Sequence, residues 1–260
     1  MTALLLALLA HNSADFLFQT KQMVRAKNRL KLSAFFVHAL IFWITLLFLL
    51  QGYQYPNVFW FASVLAISHL IIDLAKCLIM RRGGKVLDLI LFLGDQGLHL
   101  LAIWFCWQNF AFESNPTVAS FYQMLFTPNF PLNLKPVPLP MLNHLLLAAN
   151  LYIAVCAGGA ILIRKILEVL APKVETTEEN VLEPEKIGSF IGVLERLLML
   201  FLVTNNALGS VAFILTAKSV ARFSELNDRK FAEYYLIGTL LSTGLAVLGG
   251  FFLNWVVLLI

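Results

Sequence analysis

Charge is what this chain of 260 residues is short of: 13% of its residues are charged, about half the ~25% share of a soluble domain. A water-soluble globule is thereby excluded, since 60% of the residues are hydrophobic and the mean hydropathy is +0.80. Cysteine is scarce too. Cys77, Cys106 and Cys156 stand far apart in apolar segments with no CxxC spacing, which argues against a disulfide framework and against a cysteine-rich zinc site. Also missing is a basic groove with interleaved aromatics. The 19 Lys and Arg outnumber the 15 acidic residues, giving +4, but they cluster in short loops, as the positive-inside rule asks of a cytoplasmic face. Nucleic acid is not an expected partner.

Apolar runs fill the rest. Residues 1–18 carry no basic n-region and are interrupted by His11 and Asp15, so they read as a short first membrane helix rather than a cleaved signal peptide. Runs near the ~20 residues that cross hydrocarbon follow at 32–50, 58–80, 86–107, 141–163 and 234–260. The stretch 190–217 is apolar but holds Glu195, Arg196, Asn205, Asn206 and Gly209, and both one full span and two half-helices broken near Asn205 and Gly209 are open. The expected fold is all-α: a polytopic membrane protein of six to seven transmembrane helices. Its parts are a four-helix bundle at 1–108, an external loop at 109–140 rich in proline, a fifth helix at 141–165, an acidic cytoplasmic linker at 166–187 and C-terminal membrane helices at 188–260. Lys21, Arg25, Lys27, Arg29 and Lys31 lie between the first two spans, whereas 51–57 has no basic residue, which places the N-terminus outside.

Within the first four spans the polar residues are of two kinds. Four of the five His and three of the five Asp lie there at depth, and none of the ten Glu does. His11 with Asp15, His69 with Asp73 and Asp95 with His99 are i, i+4 pairs, each on one helix face, and His38 stands alone. Counted from the cytoplasmic end of each span at 1.5 Å per residue, all seven fall in a band roughly 6 to 20 Å deep. They can therefore meet.

A buried carboxylate costs at least about 2.5 to 3.5 kcal/mol at such depth unless it is paired. No Lys or Arg is expected in the band, because Lys76 lies near the boundary and can snorkel. A metal would then supply the missing charge, and three aspartates with four neutral imidazoles favour two divalent ions with a bridging hydroxide. Imidazole and carboxylate without thiolate suit Zn, Mn, Fe or Ni. Seven ligands over two ions leave positions open, which is the catalytic pattern, with metal-activated water as nucleophile. The alternatives are a proton or ion pathway and a network of hydrogen bonds that only fixes helix packing.

At HNSADFLFQT, SHLIIDLAK and DQGLH, with His38 between, the chain resembles the bacterial membrane family called domain of unknown function 3307 over roughly residues 3–107. The positions matching that pattern are His11, Asp15, Gln19, His38, His69, Asp73, Lys76, Asp95, Gln96 and His99. In the second half, IGVLERLL, AKSVARF and EYYLIGTLLS look like the longer members. The resemblance groups these residues without implying a reaction. A looser similarity, to inner-membrane proteins called membrane-bound metal-dependent hydrolases, implies metal chemistry at scattered His and Asp.

Around the seven, Gln19 and Gln96 are candidates for orienting a ligand or binding substrate. Lys76 and, in the second half, Lys218 and Arg222 are candidate contacts for a phosphate or lipid headgroup, or else anchors and ion pairs. Gly249 and Gly250 are expected where helices approach closely. The reading is a metal-dependent hydrolase of the bacterial inner membrane, its site open toward the cytoplasm, acting on a lipid or lipid-linked phosphate or ester; a homo-oligomer is compatible. The competing readings are a transition-metal or proton-coupled transporter and a structural or regulatory subunit. A transporter needs polar residues beyond the cluster, where residues 41–50, 58–66 and 100–106 offer little but Thr45 and Ser63.

Overall fold

In the computed structural model, residues 1–81, 83–125, 138–170 and 182–258 are described. All regular elements among them are helical. They fall into two compact units, 1–150 and 151–260.

The first unit opens with α1 (Thr2–Ser13), which continues into a π-helical turn at Ala14–Phe18. A short helix, α2 (Lys21–Asn28), follows, capped at its start by the Thr20 hydroxyl, which accepts from the Met23 amide at 3.2 Å. At its far end the Lys31 amide donates to the Ala26 carbonyl and the Leu30 amide to the Lys27 carbonyl, a Schellman motif with Leu30 in the left-handed region at φ 53°. Three long helices come next: α3 (Leu32–Leu49), α4 (Tyr55–Met80), with Pro56 in its first turn, and α5 (Lys85–Asn109). A short α6 (Pro116–Leu125) lies in the expected external loop, and α7 (Leu139–Ile153) begins after it.

α3 packs on α4, α4 on α5, and α1 closes against α3 and α5. Small residues on α1 and the turn after it make this possible: Ala3, Ala7, Ala10 and Ala14 are buried against Phe42, Leu46, Phe61, Leu65 and Ile103. Polar contacts pin the start of α7 to α1. Thr2 donates to the Asn143 carbonyl oxygen at 2.7 Å, Asn12 to that of Asn150 at 2.8 Å, and Asn150 to the Leu5 backbone carbonyl at 3.0 Å. The burial pattern is inverted relative to a soluble bundle. Phe36, Phe48 and Trp60 face outward, while His11, His38 and His69 are almost fully enclosed.

The second unit takes in the rest of α7, a π-helical turn at Ala154–Gly158, α8 (Gly159–Leu170), α9 (Leu182–Thr204), α10 (Leu208–Ala221) and α11 (Arg229–Val257). α9 ends in a second Schellman motif, the Ala207 amide donating to Leu202 and the Asn206 amide to Val203, with Asn206 left-handed at φ 59°. The Lys218 ammonium meets Glu195 at 2.5 Å, so α10 runs back along α9 as a hairpin. Of the two paths open for this stretch, the structure takes the broken one, because Asn206 tolerates the left-handed turn that ends α9. Close packing falls at Gly249 and Gly250 as expected: a Cβ there would approach Val155 to 2.9 Å and Val203 to 2.5 Å.

Among the described residues, five helices are long and apolar enough to cross a membrane: Leu32–Leu49, Tyr55–Met80, Lys85–Asn109, Leu139–Leu170 and Arg229–Val257. Thr2–Phe18 and Leu208–Ala221 are shorter apolar helices. Residues 126–137 of the expected external loop and the acidic residues at 171–181 lie outside the described residues.

Candidate functional site

The seven His and Asp of the first unit form one buried cluster at the end of the bundle where α2 sits. α1 contributes His11, and the π turn after it Asp15; α3 gives His38, α4 His69 and Asp73, α5 Asp95 and His99. Each is at most 8% exposed. The i, i+4 spacing on α4 and α5 aims both members of a pair inward, while on α1 the π turn sets the direction of Asp15; such a wide turn inside a helix is often found at functional sites.

The tightest part is a triangle. His38 Nε2 lies 2.9 Å from His69 Nε2 and 3.1 Å from Asp15 Oδ1, and His69 Nε2 lies 3.3 Å from the same oxygen. Two neutral imidazole nitrogens attract at that distance only across a shared proton or a cation, since two lone pairs or two N–H groups repel. Donor atoms bound to a first-row divalent ion at 2.0 to 2.1 Å stand about 2.9 Å apart in octahedral and about 3.3 Å apart in tetrahedral geometry. The three edges span that interval. Gln19 Nε2 lies 3.4 Å from His38 Nε2. Gln96 spans three members of the cluster, donating to Asp15 Oδ2 at 3.0 Å and Asp95 Oδ2 at 3.3 Å, with its oxygen 3.2 Å from His11 Nε2.

Two further groups adjoin the triangle. His11, His69 and His99 are one, and Asp73, Asp95 and His99 the other; in each group, as in the triangle, one donor atom per residue lies within 4.8 Å of the others. The imidazoles lie close together, His69 and His99 edge to face with ring centroids 4.0 Å apart and His11 and His99 tilted at 4.9 Å. Several buried atoms here have no hydrogen-bond partner: Nδ1 of His11, His38 and His69, both nitrogens of His99, and Asp95 Oδ1. Each such group forfeits roughly 1 to 3 kcal/mol.

One expectation is overturned. Cations do reach the cluster. Lys27, expected in a cytoplasmic loop, is only 4% exposed and donates to Asp73 Oδ2, its ammonium also 5.8 Å from the Phe35 ring centroid. Lys76 does not snorkel away either; it donates to Asp95 Oδ2 at 2.8 Å. The short helix α2 explains the first, because Met23, Ala26, Lys27 and Leu30 share its inner face. That spacing, with Thr20 as a cap, was a readable signal; the absence of glycine at the stop masked it. Of the three carboxylates, Asp15 is the one without a lysine partner among the described residues.

Lys218 and Arg222 belong to the second unit and pair with Glu195 at 2.5 Å and Glu225 at 3.5 Å. Arg196 is also buried there, without a carboxylate partner among the described residues: its Nε and Nη2 donate to the Cys156 carbonyl at 3.3 and 3.0 Å, and its Nη1 to the Ser242 hydroxyl at 3.1 Å. Cys156 sits in the π-helical turn, where the wider winding changes which carbonyls are bonded along the helix. The three cysteines are free.

No curated protein and no solved structure matches the chain. Residues 3–127, the stretch that supplies every member of the cluster, match the family model described as protein of unknown function, DUF3307.

Proposed function

We propose that the cluster is the active site of a metal-dependent hydrolase embedded in the bacterial inner membrane, holding one divalent ion between Asp15, His38 and His69. The observation that carries this reading is the triangle of 2.9, 3.1 and 3.3 Å, closed by the single carboxylate that lacks a lysine. The lysines change the expected ion count. Three aspartates at −3 and two ammonium groups at +2 leave −1 with neutral imidazoles; one divalent ion brings this to +1 and two would bring it to +3. A single ion plus one anionic oxygen, from water or from substrate, balances the site, so one ion is favoured over two while both lysines remain in place.

Oxygen and imidazole donors suit Zn, Mn, Fe or Ni. Such an ion, when bound, polarises an ester or phosphoryl oxygen and acidifies a water. The chain's own residues do the rest. Gln96 fixes the Asp15 carboxylate, Gln19 borders the same imidazole face, and Lys76, the more exposed of the two site lysines, faces the end where an anionic headgroup would arrive. On the other side of the cluster Leu46, Leu50, Phe61 and Leu65 are fully or almost fully buried and present no polar path, which favours a one-sided catalytic pocket over a transport route. The substrate class is an amphiphile bearing a phosphate or ester, which reaches a site below the membrane surface from within the leaflet.

The test is hydrolysis in mixed micelles by detergent-purified full-length protein, supplied with Zn or Mn and with long-chain phosphate monoesters, lipid-linked diphosphates and carboxylic esters. Turnover of one class, lowered at least 100-fold in Asp15→Asn and in His69→Ala, supports the proposal. Inertness toward all three classes by protein shown to carry its ion would remove the hydrolase reading.

A further inference from the structure

The lysine-paired side of the cluster holds a second, unused set of metal donors. Asp73, Asp95 and His99 bring one donor atom each within 4.8 Å of one another. His99 is 2% exposed, and neither of its ring nitrogens has a partner; Asp95 Oδ1 is also buried without one. A neutral imidazole carries one N–H and one lone pair, so whichever tautomer His99 adopts, both a donor and an acceptor go unused. The ring also meets His69 and His11 edge-on or tilted, but neither contact is a hydrogen bond to its nitrogens, and an ion bound through either nitrogen would use the lone pair. Meanwhile the carboxylates of this set are held by ammonium groups from outside it, Lys76 on α4 and Lys27 on α2.

α2 covers only eight residues. It lies between extended residues at both ends, Gln19 and Thr20 before it and Lys31 after it. Its exit turn places Leu30 in the left-handed region, which a branched side chain adopts only under strain. Lys27 is its one buried residue, and the remaining basic side chains, Lys21, Arg25 and Arg29, are exposed. Beside the partly buried Met23 and Ala26, the contact from Lys27 to Asp73 is the one fully buried ion pair that holds the helix over the cluster.

We propose that Asp73, Asp95 and His99 form a second divalent-cation site in competition with the Lys27 ammonium, so that binding of the second ion releases α2 and uncovers the pocket. This rests on the hydrolase reading, in which the first ion sits at Asp15, His38 and His69. The charge count is consistent: with Lys27 displaced, three aspartates, Lys76 and two divalent ions sum to +2, which matches a phosphate dianion. Two carboxylate oxygens with one imidazole form a harder donor set than the first site, and Mn2+ suits it.

Two measurements on the full-length protein in detergent test this. Equilibrium dialysis against Mn2+ counts bound ions, and amide hydrogen exchange follows residues 21–29. The expected result is a second Mn2+ per chain at higher concentration than the first, accompanied by at least tenfold faster exchange in α2. Lys27→Gln is expected to lower the concentration needed for the second ion at least tenfold, and Asp95→Asn to abolish the second ion while keeping the first. A second ion that leaves α2 exchange unchanged in the wild type overturns the proposal, as does one ion per chain at millimolar Mn2+. Loss of both ions from the wild type is a separate result: it overturns the first site, and this inference with it.

Discussion

Gln96 shows how much of the site depends on one uncharged side chain. It joins Asp15 on the π turn to Asp95 on its own helix and touches His11, so it holds the free carboxylate toward the two imidazoles. Partners that orient a ligand without binding the metal typically govern 10- to 100-fold in affinity. Gln96→Leu should therefore weaken binding of the first ion by roughly that factor with the fold intact, measured by metal titration beside circular dichroism; unchanged affinity would show that Asp15 needs no such support. At this scale the convergence of the seven His and Asp was legible in the i, i+4 spacing, and the nearness of Gln19 and Gln96 to them in their places close to Asp15 and Asp95 in the sequence. Lys27 was not. The positive-inside rule treats a lysine between two spans as a solvated marker, and only the placement of α2 under the bundle end turns it into a buried counter-ion.

Among the elements, the long apolar helices follow from composition, and their ends fall within a few residues of the expected ones except where a span runs on past the apolar run, as Leu139–Leu170 does. The irregular pieces were harder to read for physical reasons. A π-helical turn leaves no compositional mark, yet one carries Asp15 and the other carries Cys156. The stops of α2 and α9 use Leu30 and Asn206 at the left-handed position where glycine is usual, so the common stop signal is absent in both. Arg196 ties the second π turn to α11 through three hydrogen bonds to neutral acceptors. Arg196→Ala frees the Cys156 carbonyl and the Ser242 hydroxyl in a buried setting, and hydrogen bonds to a charged group contribute about 1.5 to 3 kcal/mol each. The variant is expected to lower the thermal midpoint of the purified protein, by a loss of roughly 2 to 4 kcal/mol, and to leave the proposed metal occupancy unchanged, since Asp15, His38 and His69 belong to the first unit. An unshifted midpoint would mean that the arginine holds nothing together.

For the whole molecule, the physical requirement is neutrality inside an apolar bundle. With neutral imidazoles, three aspartates and two lysines leave one negative charge, and among the described residues Asp15 is the carboxylate without a lysine, at the point where two imidazole nitrogens converge. The most direct test is elemental analysis of detergent-purified protein prepared without chelator, wild type beside Asp15→Asn and His38→Ala. The account predicts close to one transition-metal ion per wild-type chain and at least a tenfold lower occupancy in both variants at unchanged helix content. Metal-free wild-type protein, or variants that keep the ion at wild-type occupancy, would contradict it.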